Sequence, residues 1–362
     1  MKATTWEVAA VRAYDFLSSE YRALFAASNA TVFQSPLWLD RLYRRLTSDL
    51  RAEPLIVTIR ATESNRLTAI LPLVVRSYGP LRIAEFADFG ASDYLAPICD
   101  PQSVSSLRDD KSIRLRVRAI LQSCDLLFLR KIRSETLPLF DVLIEARHSP
   151  LPFASHAVDL FAPFPAWREA SISPSQRRFL DTKRKKLKRR GKLTTSAATS
   201  PQEFQQALDS IREFRAHRFR TTGAADILAQ ETFARFYQEV AAEAPPARTY
   251  LMKLDETVIA AAFGLLRERT FHVILTGFDF LNFRNASLGL LLIEDIIADC
   301  VARGENILDM TIGDQAYKRE FGTSETLMWS IWSGISLRGR LAGWIWSRSG
   351  RIRKLTRRLQ PR

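Results

Sequence analysis

The order of helical and strand periodicities in the second half of the chain constrains the fold more than any other feature of the sequence. Apolar residues recur first at helical spacing and then in strand-like runs separated by short polar turns. The predicted order is helix, helix, three antiparallel strands, helix, strand, short helix and strand, at 200–221, 230–243, 249–254, 258–266, 270–277, 288–303, 306–310, 317–321 and 326–333. This half is therefore predicted to be an α/β or α+β domain.

The first half interleaves strand and helix patterns less regularly. Strand patterns occur at 55–60, 67–76 and 81–86. They are followed by helical or mixed segments at 113–123 and 137–146 and by a buried-strand pattern at 125–131. We predict an N-terminal domain at 1–165, a crossing segment and basic helix at 166–192, a C-terminal domain at 193–336 and a basic amphipathic tail at 337–362. In the basic helix, Ser173 is the expected N-cap and Pro174 opens the first turn.

Positive charge is concentrated in two segments. The 362 residues include 53 Lys and Arg against 39 Asp and Glu, a net charge of +14. Segments 177–192 and 338–362 each carry +9, so the rest of the chain is mildly acidic at −4. This uneven distribution argues against a general nucleic-acid-binding surface and assigns the excess to two local features.

Composition and residue spacing exclude several other classes. With 46% hydrophobic and 25% charged residues, the sequence is typical of a globular protein rather than a disordered one. Glu7, Arg12 and Asp15 interrupt any secretory pattern, and the longest uncharged run, 23–39, is too polar to span a bilayer. Three cysteines and four histidines are scattered, so we expect no disulfide framework and no metal site. The expected location is cytoplasmic.

Five segments in a fixed order carry a family resemblance. They are FQSPLWLDRLY at 33–43, FGASDYLAPICDP at 89–101, GFD at 277–279, SLGLLLIEDII at 287–297 and DMTIGDQAYKREFG at 309–322. Together they resemble the CelD-type proteins, GNAT-like transferases named for cellulose and exopolysaccharide biosynthesis and related to the FemAB group. The resemblance covers about 32–332 and implies an α/β (α+β) fold of tandem GNAT-like domains. Their sheets would be mixed, mostly antiparallel and flanked by helices, with the first domain degenerate.

The resemblance implies a site for acetyl-CoA or another acyl-CoA at the start of helix 288–303. The residues concerned are Asn285, Ser287, Leu288, Gly289 and Leu290. Unsatisfied N–H groups and the helix dipole favour an anion at such a helix start, and small residues let a pyrophosphate approach the backbone. The alternative is an ordinary helix N-terminus that the Ser287 side chain caps.

Three residues are candidates for catalysis. Tyr317 follows the strand at 306–310, where the resemblance places a tyrosine near the departing sulfur, and a phenol can protonate a thiolate. Asp279 and Asp309 lie at predicted strand ends, where either could be the base that accepts the amine proton. The alternatives are a packed tyrosine and two aspartates that cap turns.

The acceptor is expected to contact two regions. Asp93 and Tyr94 lie on a loop of small residues that the resemblance directs toward the acceptor, although the same loop could be a simple turn. Arg218 could bind an acidic group of the acceptor, and Lys318 could bind an anionic substrate or remain solvated.

These observations lead to one predicted function and two alternatives. The predicted function is acyl-CoA-dependent N-acylation of a small-molecule amine, such as an amino sugar or polysaccharide precursor. The basic helix favours an alternative in which a FemAB-like enzyme uses aminoacyl-tRNA, the one nucleic acid expected as a partner. The other alternative is a non-catalytic scaffold for exopolysaccharide synthesis at the membrane.

Residues 338–362 combine arginines with tryptophans. This composition suits either an anionic membrane surface, with a peripheral location at its inner face, or a solvated basic helix.

Overall fold

The computed structural model describes residues 5–222, 226–243 and 246–345. These residues form two compact units. The first unit contains the described residues up to Ala154 and those from Thr326 onward, and the second unit contains the described residues from Ser155 to Glu325. None of the described helices is long and apolar enough to cross a membrane.

The first unit is built on a six-stranded sheet in the order β1-β2-β3-β4-β6-β13, with β5 paired to β3. The strands are β1 (Trp6–Val11), β2 (Glu53–Ala61), β3 (Leu67–Tyr78), β4 (Leu81–Phe86), β5 (Ile98–Cys99), β6 (Leu126–Arg133) and the greater part of β13 (Ser324–Gly334). The helices are α1 (Ser19–Ala27), α2 (Pro36–Arg41), α3 (Thr47–Asp49), α4 (Val104–Asp109), α5 (Ser112–Ile120), α6 (Leu137–Leu143) and α12 (337–345). A π-helix covers Leu42–Leu46, and 3₁₀ turns cover Val32–Gln34, Pro101–Ser103, Leu121–Ser123 and Ser134–Thr136.

The second unit has a sheet in the order β8-β9-β10-β11-β12-β7. Its strands are the end of β7 (Arg147–Asp159), β8 (Leu193–Ala197), β9 (Ala247–Leu254), β10 (Thr257–Arg267), β11 (Thr270–Phe278) and β12 (Ile307–Ile312). Its helices are α7 (Phe164–Ser171), α8 (Pro174–Lys188), α9 (Pro201–Thr222), α10 (Glu231–Glu243) and α11 (Leu288–Ala302), with 3₁₀ turns at Ile227–Ala229 and Ala316–Phe321. Apolar residues of α11 pack on β10, β11 and β12 to form the core.

The two sheets repeat one plan. In each, four strands pair antiparallel, the fourth pairs parallel with a fifth, and the fifth pairs antiparallel with a sixth. This confirms the predicted fold class of mixed, mostly antiparallel sheets flanked by helices. The units differ from the predicted domain boundaries, because Met328–Gly334 of β13 pairs with β6 and Ser155–Asp159 of β7 pairs with β12.

The fifth strand of each sheet carries the same irregularity. In β6, Arg130 and Lys131 lie opposite one residue of β13, and in β12, Met310 and Thr311 lie opposite one residue of β7. The second residue of each bulge has a left-handed backbone, with φ of 58° at Lys131 and 56° at Thr311. Such bulges bend a strand and end its regular pairing, and a left-handed β-branched residue is held only where the surrounding structure requires it.

Candidate active site

The parallel strands β11 and β12 separate after a short common stretch. Their register runs from Thr270 and Ile307 to His272 and Asp309, although β11 continues to Phe278. We call the gap between residues 273–278 of β11 and 310–312 of β12 the second fork, because it belongs to the second unit. Ile274, at its start, also lies outside the register between β11 and β10, so a bulge occurs on this side too. A fork of this kind exposes backbone N–H and C=O groups that a regular sheet would pair.

A buried titratable pair lies at the base of the second fork. The Nε2 atom of His272 is 3.8 Å from Oδ2 of Asp309, and both side chains are almost fully buried. The other carboxylate oxygen of Asp309 accepts the Thr311 N–H at 2.7 Å, within the β12 bulge. The predicted base Asp309 thus lies where the two strands separate, beside a histidine that was not among the predicted catalytic residues.

Lys318 is a structural residue, which corrects its prediction as a substrate-binding group. Its side chain is buried, and Nζ donates to the carbonyl oxygens of Met310, Thr311 and Ile312 at 2.7, 3.1 and 2.9 Å. An ammonium group has three protons, so these carbonyls use all of them. The lysine therefore satisfies the acceptors that the irregular end of β12 leaves without strand partners.

The N-terminus of α11 is not capped by a side chain. Ser287 occupies the N-cap position with a left-handed backbone, φ 56°, and makes no side-chain cap, which differs from the alternative of an ordinary serine cap. Within the described residues, the N–H groups of Leu290 and Leu291 bond to the Ser287 carbonyl, and no protein acceptor faces those of Leu288 or Gly289. Two free N–H groups and the positive end of the helix dipole favour an anion here.

Aromatic and basic side chains connect this helix start to Tyr317. A Cβ atom on Gly289 would lie 3.3 Å from the Phe278 ring, and the guanidinium of Arg218 lies 5.6 Å from the centre of the same ring. Burial raises the pKa of Tyr317, and the positive charge of Arg218 opposes this only in part. The phenol is therefore protonated at neutral pH, as a proton donor must be.

The basic helix α8 packs beside the loop that leads into α11. Nζ of Lys183 donates to the carbonyl of Asn285 at 2.6 Å, and the Arg190 guanidinium lies 4.6 Å from the centre of the Phe283 ring. Buried Glu294 links α11 to both α7 and α8, because it accepts from Arg168 of α7 at 2.6 Å and from Arg184 of α8 at 2.9 Å. Part of the basic run is thus used for packing, and part surrounds the open helix start.

Asp279 stabilises the turn that follows β11. Its two carboxylate oxygens accept from the backbone N–H and the side-chain amide of Asn282, at 3.0 and 2.8 Å. This turn directs the chain from β11 toward α11. The turn-cap alternative therefore describes Asp279 better than the prediction of a catalytic base.

The other predicted acceptor residues belong to the first unit. Tyr94 is buried there, with its ring 5.6 Å from that of Phe33 and 5.0 Å from the Arg133 guanidinium. Its carbonyl accepts from the Gln34 side chain at 2.7 Å. Tyr94 is a packing residue, which corrects its prediction as a substrate contact, and its neighbour Asp93 is half-buried.

Several residues of the site were not predicted from the sequence. His272, Phe278, Lys183 and Arg190 join the predicted set through contacts between distant segments. Of these four residues, only Lys183 and Arg190 could have been found from the sequence, because they belong to the basic run at 177–192. In the described part of the chain, no group of three or more His, Cys, Asp or Glu residues could hold a metal ion.

Comparisons with known proteins identify this fold. Residues 174–319 match the family described as "Acetyltransferase (GNAT) domain". The structure of FemX superposes with a TM-score of 0.60 at 9% identity, over 88% of this chain and 94% of FemX. L-PGS from Bacillus licheniformis gives 0.55 at 13% identity, over 92% of this chain and 95% of that one.

A third structure has the same fold. The C-terminal domain of a putative lysylphosphatidylglycerol synthetase from Agrobacterium fabrum gives a TM-score of 0.52 at 13% identity, over 81% of this chain and 86% of that one. No curated protein matches the sequence. The second unit therefore has the GNAT acyltransferase fold, which confirms the GNAT part of the predicted resemblance, while its CelD-type part stays a prediction.

Proposed function

We propose that the second unit transfers an acyl group from acyl-CoA to an amine. The observation that carries this proposal is the uncapped start of α11 next to the second fork. The free N–H groups of Leu288 and Gly289 would bind the pyrophosphate of CoA, and Lys183 and Arg190 would add positive charge. The thioester would then lie along the separated strand edges.

The chemistry of the transfer follows from the groups at the fork. The amine nitrogen attacks the thioester carbon, forming the C–N bond, and the C–S bond breaks. A bulge N–H at Ile274 would stabilise the oxyanion of the intermediate, because preorganised backbone donors act there at no cost of reorganisation. Tyr317 would donate its proton to the departing thiolate.

The proton lost by the amine needs an acceptor. We assign this role to His272, with the Asp309 carboxylate 3.8 Å away to stabilise the positive charge that the ring gains, because the pair lies where β11 and β12 separate. A histidine is the side chain whose ordinary pKa is closest to neutral, which suits a base that works at cellular pH.

The acceptor is the less defined substrate. The exposed Arg218, close to Phe278, could bind an acidic group on it. The CelD-type resemblance supports an amino sugar or another polysaccharide precursor, and this step of the proposal depends on the resemblance alone.

Thermal unfolding with acetyl-CoA, longer acyl-CoAs and free CoA tests the donor. A ligand at 100 times its Kd stabilises the native state by about 2.7 kcal/mol, which shifts the Tm measurably. Gly289→Glu places a carboxylate at the anion site and should abolish the shift, whereas Gly289→Ala adds one methyl group near Phe278 and should retain most of it. The acyl-CoA proposal fails if no CoA ester shifts the wild-type Tm.

One observation favours a second candidate, an aminoacyl-tRNA donor. Among the described residues, seven exposed bases of α8 and the segment after it have no carboxylate within ion-pair distance: Arg178, Lys185, Lys186, Lys188, Arg189, Arg190 and Lys192. Charged tRNA would neutralise them, with binding that weakens steeply as salt rises. Lys185→Gln/Lys188→Gln should then weaken tRNA binding and leave the CoA-induced Tm shift unchanged.

A further inference from the structure

Helix α12 has the opposite arrangement of side chains from an ordinary surface helix. Gly339, Ala342 and Gly343 are its buried residues, although small side chains contribute little to a core. Its large apolar residues point outward, with Leu337 81% exposed and Leu341 61% exposed. A surface helix normally buries its large apolar side chains and exposes its polar ones.

Close backbone contact explains the small residues on the inner face. A Cβ atom on Gly339 would lie 1.6 Å from the carbonyl oxygen of Asp125, and one on Gly343 would lie 2.3 Å from the Trp332 ring. Larger residues could not occupy these positions, so the orientation of the helix is fixed by its packing. The outward direction of the apolar side chains is therefore built into the first unit.

The outer face of α12 is a continuous apolar stripe. On a helix with 3.6 residues per turn, Leu337, Leu341, Trp344 and Ile345 share one side. Trp344 and Ile345 are 45% and 49% exposed. We call these four residues the α12 face.

Positive charge surrounds the α12 face. Arg338 and Arg340 flank the stripe on its two sides, and both are exposed. A groove of about 870 Å³ adjoins it, lined by Arg118, Arg147 and Arg340 together with Trp332, Leu341 and Trp344. Among the described residues that line this groove, Glu145 is the acidic one. The sequence from 326 to 362 contains no Asp or Glu, and 338–362 contains nine Lys and Arg.

We propose that the α12 face docks the first unit on an anionic lipid bilayer. The four apolar side chains would enter the boundary between headgroups and acyl chains, and the arginines would meet the anionic headgroups. A stripe of Leu, Ile and Trp between basic residues is the chemistry of an interfacial helix, and tryptophan prefers that depth of the membrane.

Charge complementarity selects this occupant over a second copy of the chain. Two copies joined through the α12 face would bring together two arginine-rich surfaces, on which Glu145 in the groove and Asp125 near Arg338 are outnumbered by arginines. An anionic bilayer offers both the apolar layer and the negative charge. The docking is independent of the acyl transfer proposed for the second unit.

Vesicle flotation of the purified full chain tests the proposal. Vesicles of phosphatidylcholine alone are compared with vesicles of equal parts phosphatidylcholine and phosphatidylglycerol, and the protein should float only with the second kind. Leu337→Ser/Leu341→Ser/Ile345→Ser should lower the partition coefficient by about 100-fold. Arg338→Gln/Arg340→Gln should lower it by about 30-fold at low salt.

Matched controls separate the α12 face from general stickiness and charge. Leu327→Ser removes another exposed leucine of the first unit, and Arg108→Gln/Lys111→Gln removes two other exposed cations, so both should bind as the wild type does. All variants keep residues 346–362, and their Tm values verify folding. The proposal is overturned if the wild type ignores anionic vesicles, if the serine variant still floats, or if the controls lose binding equally. It is also overturned if the serine substitutions convert a wild-type dimer to a monomer.

Discussion

The two units build the same fork and fill it differently. In the first unit, β4 and β6 pair in parallel only at Ile83 with Leu126 and at Ala84 with Leu127, and then separate. The loop at 87–97 returns into this first fork, where the Leu95 N–H donates to the carbonyl of the bulge residue Lys131 at 3.0 Å. The Lys131 ammonium in turn donates to the Ser92 carbonyl at 2.7 Å. The first fork has become part of a core.

In the second unit, the equivalent carbonyl is satisfied from a different direction. The left-handed bulge residue is Thr311, and its carbonyl accepts from the Lys318 ammonium instead of from a returning loop. The loop after β11 leads through the Asp279 turn directly to α11. One buried side chain thus takes the place of the returning loop of the first unit, and we propose that the strand edges of the second fork bind the ligand.

The helix starts show the same contrast. In the first unit, Asp100 is the N-cap of the 3₁₀ turn Pro101–Ser103, which follows β5. Its carboxylate accepts from the Gln102 N–H at 3.0 Å and from Arg66 at 2.8 Å. The first unit therefore supplies its own anion at this helix start. In the second unit, Ser287 supplies none. The same topology is therefore closed by the chain itself in the first unit, whereas in the second unit the helix start has no side-chain cap.

The largest expected effect is on the stability of the first unit. Tyr94→Ala removes a fully buried ring from the first fork and should lower the free energy of unfolding by about 4 kcal/mol, measured by urea denaturation. Tyr94→Phe keeps the ring and should lose much less. The CoA-induced Tm shift of the folded fraction should be unchanged in both variants, and its loss in Tyr94→Ala alone would contradict the assignment of Tyr94 to packing.

The second-largest expected effect is the loss of stability when Lys318, which donates to carbonyls at the end of β12, is replaced. Lys318→Met leaves three carbonyl acceptors without their donor and should destabilise the protein by about 3 kcal/mol, measured by denaturation. The exposed Lys111→Met is the control and should change stability by less than about 0.5 kcal/mol. A stable Lys318→Met protein with a raised KM would instead support the substrate-binding role predicted from the sequence.

These two residues show what the sequence could and could not predict. The strands at 249–254, 258–266 and 270–277 correspond to β9, β10 and β11, because alternation and short turns are local signals. The Ser173 cap of α8 was predicted equally well, and its Oγ accepts the Gln176 N–H at 3.2 Å. Tyr94 is predicted as a substrate contact because the resemblance directs its loop toward the acceptor, and Lys318 because a lysine beside Tyr317 can bind an anionic substrate.

Their burial is decided by contacts between distant segments. Lys318 is buried because the bulge at Thr311 directs carbonyls toward it, and nothing local predicts a left-handed β-branched residue in a strand. The loop with Tyr94 is buried because β4 and β6 separate, which depends on sheet pairing. The strand β7 and the helix α7 were not predicted. Pro residues at 150 and 152 in β7, and at 163 and 165 at the start of α7, interrupt the local patterns that would have indicated them.

A smaller effect in free energy falls on catalysis in the second unit. Tyr317→Phe removes the phenolic proton and should lower kcat about 100-fold, equivalent to about 2.7 kcal/mol, with Tm almost unchanged. Because burial raises the pKa of Tyr317, wild-type activity should persist to alkaline pH before the phenol ionises. Tyr94→Phe is the matched control in the first unit and should keep full activity. Wild-type rates in Tyr317→Phe would contradict the assignment of Tyr317 as the proton donor.

Asp100, at the helix start of the first unit, should make a contribution to the free energy of unfolding that depends on pH. Burial alone would raise the pKa of Asp100, but hydrogen bonds from Arg66, Ser103 and the Gln102 N–H lower it below its ordinary value of 3.8. Between the lowered pKa of the folded protein and the ordinary value of 3.8, the unfolded state binds more protons than the folded state. The stabilisation by the Asp100 carboxylate is therefore fully present above pH 3.8 and is lost as the pH falls through the folded pKa. Asp100→Asn should cost about 1.5 kcal/mol at pH 7 and progressively less below pH 4. A constant difference at every pH would show that the charge does not matter.

The smallest effect on stability comes from giving the second unit what the first unit already has. Ser287→Asp places a carboxylate at the open start of α11, in a left-handed conformation that aspartate tolerates, and should stabilise the protein by about 0.5 kcal/mol through the helix dipole. The same charge should repel the CoA pyrophosphate and abolish the CoA-induced Tm shift. Ser287→Asn, which tolerates the same backbone without the charge, should retain it. If Ser287→Asp still binds CoA with wild-type affinity, the difference between a self-satisfied and an open helix start does not explain why only the second unit is proposed to bind the donor.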